Sequence, residues 1–379
     1  MTRISRRKFL ATMTSSGLLV GGVLFASCSS GVTPTTAPQA TAPSASDGSA
    51  ASPTAPPQST GSTSGLRRWR SGRPTYIGSM AVFIAMEKGY YREAGVELEF
   101  VPLRAATMAD AIPFVANGEI ESFTGAFTSA LVNAVRSGIA IRVICNINSY
   151  LPGFTYVGYA IAKPRAEAGD IRTLADLKGR SIAVPNTEGL VAWEVNKVLS
   201  GVGLTVDDVE LVRMSGSDMP AALANGSVDV ARLGEPFFTV ALRLGAGVKL
   251  IAGDEVYQLL QRDVPFGLVV ASERAIADEE TTVALLAATM RGARYYNQAM
   301  RSDEGKREMI EIAQKYFPAD DPTIYEDIIW PGVPEDLSFD VSFLDELQAF
   351  MVSRGELEEA VPHEQLVSLS ALEKARTLV

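Results

Sequence analysis

The sequence predicts an α/β protein of two lobes, each a mostly parallel sheet flanked by helices. Three observations lead there. Short apolar, β-branched runs alternate with helical segments along most of the chain, the pattern of strand–helix–strand units. One unit occurs twice. Ala111–Glu121 (AIPFVANGEIE) and Pro220–Asp229 (PAALANGSVD) each read as a helix, an Asn-Gly cap and a strand that turns through small residues into another helix. The chain has 379 residues, 47% of them hydrophobic, which allows two domains and a substantial core.

Composition narrows the function. The net charge of −10 opposes nucleic acid as a partner, because a phosphate-binding face needs clustered Lys and Arg. Two cysteines, Cys28 and Cys145, form neither a disulfide framework nor a zinc pattern. The single histidine, His363, argues against a histidine-rich metal site and most His-dependent catalysis. No metal, cofactor or catalytic residue is expected.

Residues 1–27 read as an export signal. Arg3, Arg6, Arg7 and Lys8 precede the moderately apolar Phe9–Ala26, which is too short and polar for a membrane span. Ser5–Leu10, SRRKFL, resembles a twin-arginine signal, with an ordinary Sec signal as the alternative. Leu24–Cys28, LFASC, resembles a bacterial lipobox, with Phe25 where an aliphatic residue is usual. Cleavage there makes Cys28 the lipidated N-terminus and ties the chain to a membrane surface. Removing four positive charges with the signal takes the net charge from −10 to −14. Residues 28–66 are the lipidated cysteine and a Ser, Thr, Ala and Pro-rich stretch, too polar to offset ordering entropy, and read as a disordered tether.

The body follows in order. Leu66–Pro74, with Arg67, Arg68, Arg70 and Arg73, reads as a basic domain edge. Thr75–Gly78 is the first predicted strand. Ser79 then caps a helix from Ala81 to about Lys88, closed by Gly89. Strands are expected at Val96–Leu103, Ile120–Phe123, Ala140–Ile147 and Phe154–Ala162. Helices are expected at Met108–Ala116 and, led into by Thr124–Ser129, through Val135. The second round has a strand at Ser181–Pro185 and a helix to Leu199, capped by Asn186 and Thr187. A strand at Val209–Arg213, a helix at Asp218–Ala224 and a strand at Val228–Leu233 follow, then a helix through Leu244 and a strand at Val248–Ala252. Gly267–Ala271 returns the chain to the first lobe. Helices close the chain at Thr281–Asn297, Lys306–Tyr316, Val341–Ser353 and Glu364–Ala375. The lobes are thus expected at 67–160 with 266–379, and at 161–265.

Ser181–Trp193, SIAVPNTEGLVAW, is the most informative stretch. A strand that ends in small residues and opens a helix directs free N–H groups into a crevice. That geometry binds small ligands, anions especially.

Several runs carry a family resemblance: FIAMEKGYYREAGVELEF at 83–100, LADLKGRSIAVP at 174–185, GLTVDDVELV at 203–212, AALANGSVDV at 221–230, GEPF at 234–237 and RGEL…VP at 354–362. They resemble the sulfonate/nitrate/taurine-type solute-binding proteins of ABC transporters, the superfamily of thiamine-pyrimidine precursor-binding proteins. The resemblance implies a two-lobed Venus-flytrap fold of the second periplasmic-binding class. A small molecule is held between the lobes by hinge closure, and the anchored protein, expected as a monomer, docks on a permease with its ATPase. By motif, the ligand contacts are Ser79 and Met80, Thr124, Gly125 and Ala126, Asn186, Thr187 and Glu188, and Glu235.

Each candidate has a structural alternative. Asn186 and Thr187 also suit a helix cap, and Gly125 also suits close packing. Glu188 complements the helix dipole and would repel an anion, which lowers simple oxyanions as ligands. Glu235 also suits a structural or hinge role. Arg232, a lone cation in an apolar strand, pairs with a ligand carboxylate, lies on the solvated face or answers a nearby acid. Trp193, Tyr156, Phe154 and Phe127 serve the core or stack on a flat heterocycle; Cys145 reads as a buried hydrophobe and His363 as a surface residue. Sulfonates, carboxylates, pyrimidines and flavins all remain open as solutes. The rivals are a pyrimidine-precursor enzyme on this fold, which the scarcity of His and Cys disfavours, and a ligand-presenting sensor.

Overall fold

A computed structural model describes residues 65–73, 76–103 and 107–379, all within one compact unit, Gly61–Val379. The signal at 1–27, Cys28, the tether up to residue 64 and Thr75 lie outside the described residues.

Among the described residues, twelve strands form in chain order. They are β1 (Arg67–Gly72), β2 (Val96–Val101), β3 (Ser122–Gly125), β4 (Ile141–Asn146), β5 (Ser149–Tyr150) and β6 (Val157–Ala162), then β7 (Ser181–Val184), β8 (Glu210–Arg213), β9 (Val230–Gly234), β10 (Gly247–Ala252), β11 (Val264–Pro265) and β12 (Leu268–Ser272). One sheet runs β2-β1-β3-β12-β4 and the other β8-β7-β9-β6-β10. The two orders have the same plan. In each, three strands pair in parallel, and a strand arriving from the opposite lobe inserts antiparallel before the last. Four of the five strands in each sheet therefore point one way. The inserted strands are β6, VGYAIA, and β12, LVVAS, and every residue of both is buried. Central strands covered on both faces take such unbroken apolar runs.

The first strand lies earlier than expected. Arg67–Gly72 forms β1, inside the sheet rather than at a domain edge, while Ile77–Ser79 is a short 3₁₀ turn. Alternation explains it. Trp69 and Ser71 face inward, Trp69 donating to Ser122 Oγ at 2.9 Å. Arg70 faces the other way and binds Glu121 with Nε and a terminal nitrogen at 3.1 and 2.7 Å. A second shift affects the site. The third strand runs Ser122–Gly125, so Thr124 and Gly125 pair with Val269 and Leu268 instead of sitting in the turn.

Helix Glu279–Ala299 packs against helix Met80–Glu87 under the first sheet. Helix Gly189–Ser200 follows β7 and buries nine of its residues. The lobes are joined where β5 and β11 pair antiparallel, Tyr150 opposite Val264 and Ser149 opposite Pro265. A third crossing runs beside them. Gly332 bridges to Ser149, while Pro331 and Val333 accept from Tyr296 Oη and Asn297 Nδ2 at 2.8 and 2.9 Å. This C-terminal segment then reaches helix Gly189–Ser200, where Glu346 accepts from Trp193 Nε1 at 3.2 Å.

Candidate functional site

The hinge strands carry a buried polar chain. Asn148 is fully buried, accepts from Tyr156 Oη at 2.6 Å and lies 3.4 Å from Tyr76 Oη. Gly267 makes room for it, since a Cβ there would stand 2.0 Å from Asn148 Nδ2. Burial pushes the Tyr76 phenol up to about 12, so it remains a hydrogen-bond donor at neutral pH.

Beside that chain lies a buried ion pair. Arg232 on β9 binds Glu194 with Nε at 3.0 Å and a terminal nitrogen at 2.5 Å. Tyr159 on the neighbouring β6 donates to the same carboxylate at 3.0 Å. The guanidinium also meets Tyr150 Oη and lies 5.3 Å from the Phe266 ring centre. Burial opposes its charge most strongly, but Glu194, Tyr150 and Tyr159 together raise its pKa. Arg232 therefore answers an acid of its own chain. Tyr150 and Phe266 belong to the hinge, so second-lobe charges grip both crossing strands.

Two helix starts of the first lobe carry buried, unpartnered hydroxyls. Ser79 is the N-cap of helix Met80–Glu87, is fully buried like Met80, and its Oγ makes no hydrogen bond of normal geometry. Thr128 is the N-cap of helix Ser129–Arg136, is 1% exposed, and its Oγ1 also has no partner. Thr124 and Ala126 are buried and Gly125 half-buried nearby in sequence. Buried polar groups are paired as a rule, so orphaned hydroxyls call for a partner.

The helix start after β7 is arranged differently. Asn186 and Thr187 are half-buried but do not cap it; Glu188 occupies the N-cap position, without a capping side-chain bond. Glu188 itself is extended, with φ −137° and ψ 173°, so the helix starts only at Gly189. Its carboxylate instead accepts from Ser129 Oγ of the first lobe at 2.7 Å. Leu190 N–H donates to Phe127 O at 3.0 Å. Gly189 is required here. Its φ is +64°, and a Cβ would sit 2.6 Å from Phe127 O. Gly189 N–H donates to Glu356 at 2.9 Å, and Arg354 Nε holds the other oxygen of Glu356 at 2.7 Å.

The structure therefore brings Glu188 together with the turn that follows Thr124–Ala126. Glu235 is turned elsewhere. It is 2% exposed and accepts from Thr239 N, Thr239 Oγ1 and Ile329 N at 3.1, 3.0 and 3.2 Å. Burial raises its pKa to about 7. It lines a cavity of ≈ 480 Å³ with Phe238, Arg243 and Ile329. Of the aromatic candidates, Trp193, Phe127 and Tyr156 are core residues, while Phe154 is 36% exposed. Cys145 is buried, and burial pushes its thiol pKa up. His363 is partly exposed at the surface and paired with Asp345 at 2.8 Å.

Sequence reading missed Glu194, Asn148, Thr128 and Glu356. Glu194 carried a signal, since it is the one acid in the apolar run LVAWEV and Arg232 the one cation in VARL. Glu356 stood in the RGEL run, but its contact with Gly189 arises only through the fold.

A family model described as NMT1/THI5 like matches residues 77–299, more than half of the chain. The chain belongs to that family. An aliphatic sulfonates-binding protein of Escherichia coli (strain K12) is 30% identical over 105 residues, 25% of this chain and 31% of that relative's length. Among solved structures, the periplasmic nitrate-binding protein NrtA of Synechocystis PCC 6803 matches with a TM-score of 0.64 at 15% identity, covering 83% of this chain and 89% of that one. The desulfurization enzyme DSZB matches with a TM-score of 0.55 at 17% identity, covering 82% and 99%. These likenesses establish the fold, which serves a binding protein in one neighbour and an enzyme in another.

Proposed function

We propose that this chain is the extracytoplasmic solute-binding lipoprotein of an ABC importer. In this reading it captures a small organic solute between its lobes and hands it to a permease driven by an ATPase. One observation carries the proposal: two strand-to-helix turns, one from each lobe, meet across a hinge of paired strands through Leu190–Phe127 and Glu188–Ser129. Hydrogen bonds of this kind can form and break as the lobes move. The solute-binding names among similar proteins support the same reading. The orphaned hydroxyl of Thr128 suits a solute that supplies its missing partner. Ser79, Met80, Thr124, Gly125, Ala126 and Asn186 to Glu188 are the proposed contacts, with Glu235 in a supporting place. The proposed lobes are 67–160 with 266–379, and 161–265.

A binding role also fits the chemistry on offer. The one cysteine among the described residues, Cys145, is held as a neutral buried thiol and makes a poor nucleophile. Among the described residues no His, Cys, Asp and Glu group is arranged to hold a metal, and no helix is long and apolar enough to cross a membrane.

Solution scattering with thermal melting tests capture. A bound solute is expected to raise the melting temperature and reduce the radius of gyration together. Neither change across sulfonates, carboxylates, amines and heterocycles would sink the proposal. For the anchor, Cys28→Ser is expected to move the chain from the membrane fraction to the soluble fraction. Unchanged membrane association would overturn lipidation at Cys28.

A further inference from the structure

The helix Gly189–Ser200 opens on carboxylates. A helix start attracts anions because its first N–H groups are unpaired and carry partial positive charge. Here the Gly189 N–H is taken by Glu356 and the Leu190 N–H by Phe127 O. Glu188 adds a second carboxylate at the N-cap. An arriving oxyanion meets two like charges and finds these two donors engaged.

The surrounding cations are engaged as well. Arg232 is spent on Glu194, Arg354 on Glu356 and Asp207, and Arg213 stands 3.5 Å from Asp110. What stays open is acceptor capacity. Glu188 Oε2 accepts from Ser129, while Oε1 makes no hydrogen bond among the described residues. Thr128, next to Ser129 and 1% exposed, has an unpartnered hydroxyl that can also accept. Its Cα would lie 2.9 Å from a Cβ on Gly189, so it borders the same helix start. A half-buried carboxylate beside a buried hydroxyl suits a group that donates N–H bonds and carries positive charge.

We infer that the solute presents a cationic nitrogen group, an ammonium or amidinium, to Glu188 and Thr128, and that Glu188 and Glu356 exclude oxyanions from this helix start. The inference rests on the solute-capture reading and names the class of solute. It also assigns Glu188 as the residue that sets the charge preference, with Glu356 keeping the helix donors occupied.

Shape-matched probes of opposite charge test it on the full chain. Cyclohexylammonium is compared with cyclohexanesulfonate and benzamidinium with benzoate, by titration calorimetry and thermal melting. The two cations are expected to bind and raise the melting temperature, and the two anions to do neither. Glu188→Gln is expected to weaken the cations at least tenfold. Combined with Glu356→Gln, it is expected to admit an anion. If Glu188→Gln lowers the melting temperature of the unliganded chain, Ser129→Ala replaces it. That variant frees Glu188 from its internal donor and is expected to tighten cation binding. An anion that binds the unaltered chain and reduces its radius of gyration would overturn the charge inference and leave capture standing. Cation binding that neither variant alters would overturn the assignment of Glu188. No shift with any probe, and no compaction, would overturn both the inference and the capture reading.

Discussion

The helices Ser129–Arg136 and Gly189–Ser200 meet at their starts, one after β3 of the first sheet and the other after β7 of the second, and they start in opposite states. The first has a buried hydroxyl at its N-cap, no acid in its first turn and no side-chain cap bond. The second has Glu188 at its N-cap, Glu356 on its first N–H and Phe127 O on its next. Backbone geometry offers both ends to a ligand. Side chains and carbonyls that arrive from elsewhere decide whether the offer remains open. A strand–turn–helix motif thus locates a ligand crevice more securely than it names the ligand's charge.

The largest expected effect lies in the body of the second helix, where the contrast continues. That helix buries Glu194 against Arg232, while the first buries only apolar residues and Ser129. Replacing Glu194 by Leu strands a buried guanidinium and is expected to cost about 3–5 kcal/mol in denaturant unfolding. Glu194→Leu with Arg232→Met is expected to recover most of it. An equally unstable double variant would show that the pair does more than satisfy itself. On the first helix, Asn133→Ala is expected to stay within about 0.5 kcal/mol, because Asn133 is exposed.

Next in size is the contact between the two starts. Gly189→Ala puts a Cβ at positive φ and against Phe127 O. It is expected to destabilise by about 1–3 kcal/mol and to weaken solute-driven compaction. Full compaction in that variant would mean that the turns need not touch.

A smaller contrast is set by Glu235, whose folded pKa of about 7 lies above its ordinary 4.5. Between those values the folded chain keeps a proton that the unfolded chain has released. Its stabilising contribution is complete below pH 4.5 and disappears as pH rises through 7. Glu235→Gln is expected to flatten the stability profile over that window by about 1–3 kcal/mol. An unaltered profile would place the titration elsewhere.

Much of this was legible in the sequence, and the rest was hidden for definite reasons. The repeated helix, Asn-Gly cap and strand revealed two lobes of one plan because alternating strands and helices have local signatures. β1 was hidden because Arg67, Arg68 and Arg70 look like a solvated stretch, although Arg70 is consumed by Glu121 and Trp69 is core. Thr124 and Gly125 looked like turn residues, yet sheet pairing with β12 claims them. The acid at Glu188 was visible, and it lowered simple oxyanions as expected ligands. The contact of Glu356 was not, since 167 residues separate it from Gly189 and only tertiary folding unites them. Side chains supplied from distant segments leave no periodic trace.

Amide hydrogen exchange at Leu190 tests the central claim most directly, because its N–H crosses from one lobe to the other. Gly189, whose N–H crosses to Glu356 in the same way, is expected to follow Leu190. If the lobes close on a solute through these turns, saturating cyclohexylammonium slows exchange at Leu190 by at least tenfold. Equal exchange at Leu190 with and without a bound solute would contradict closure at this contact.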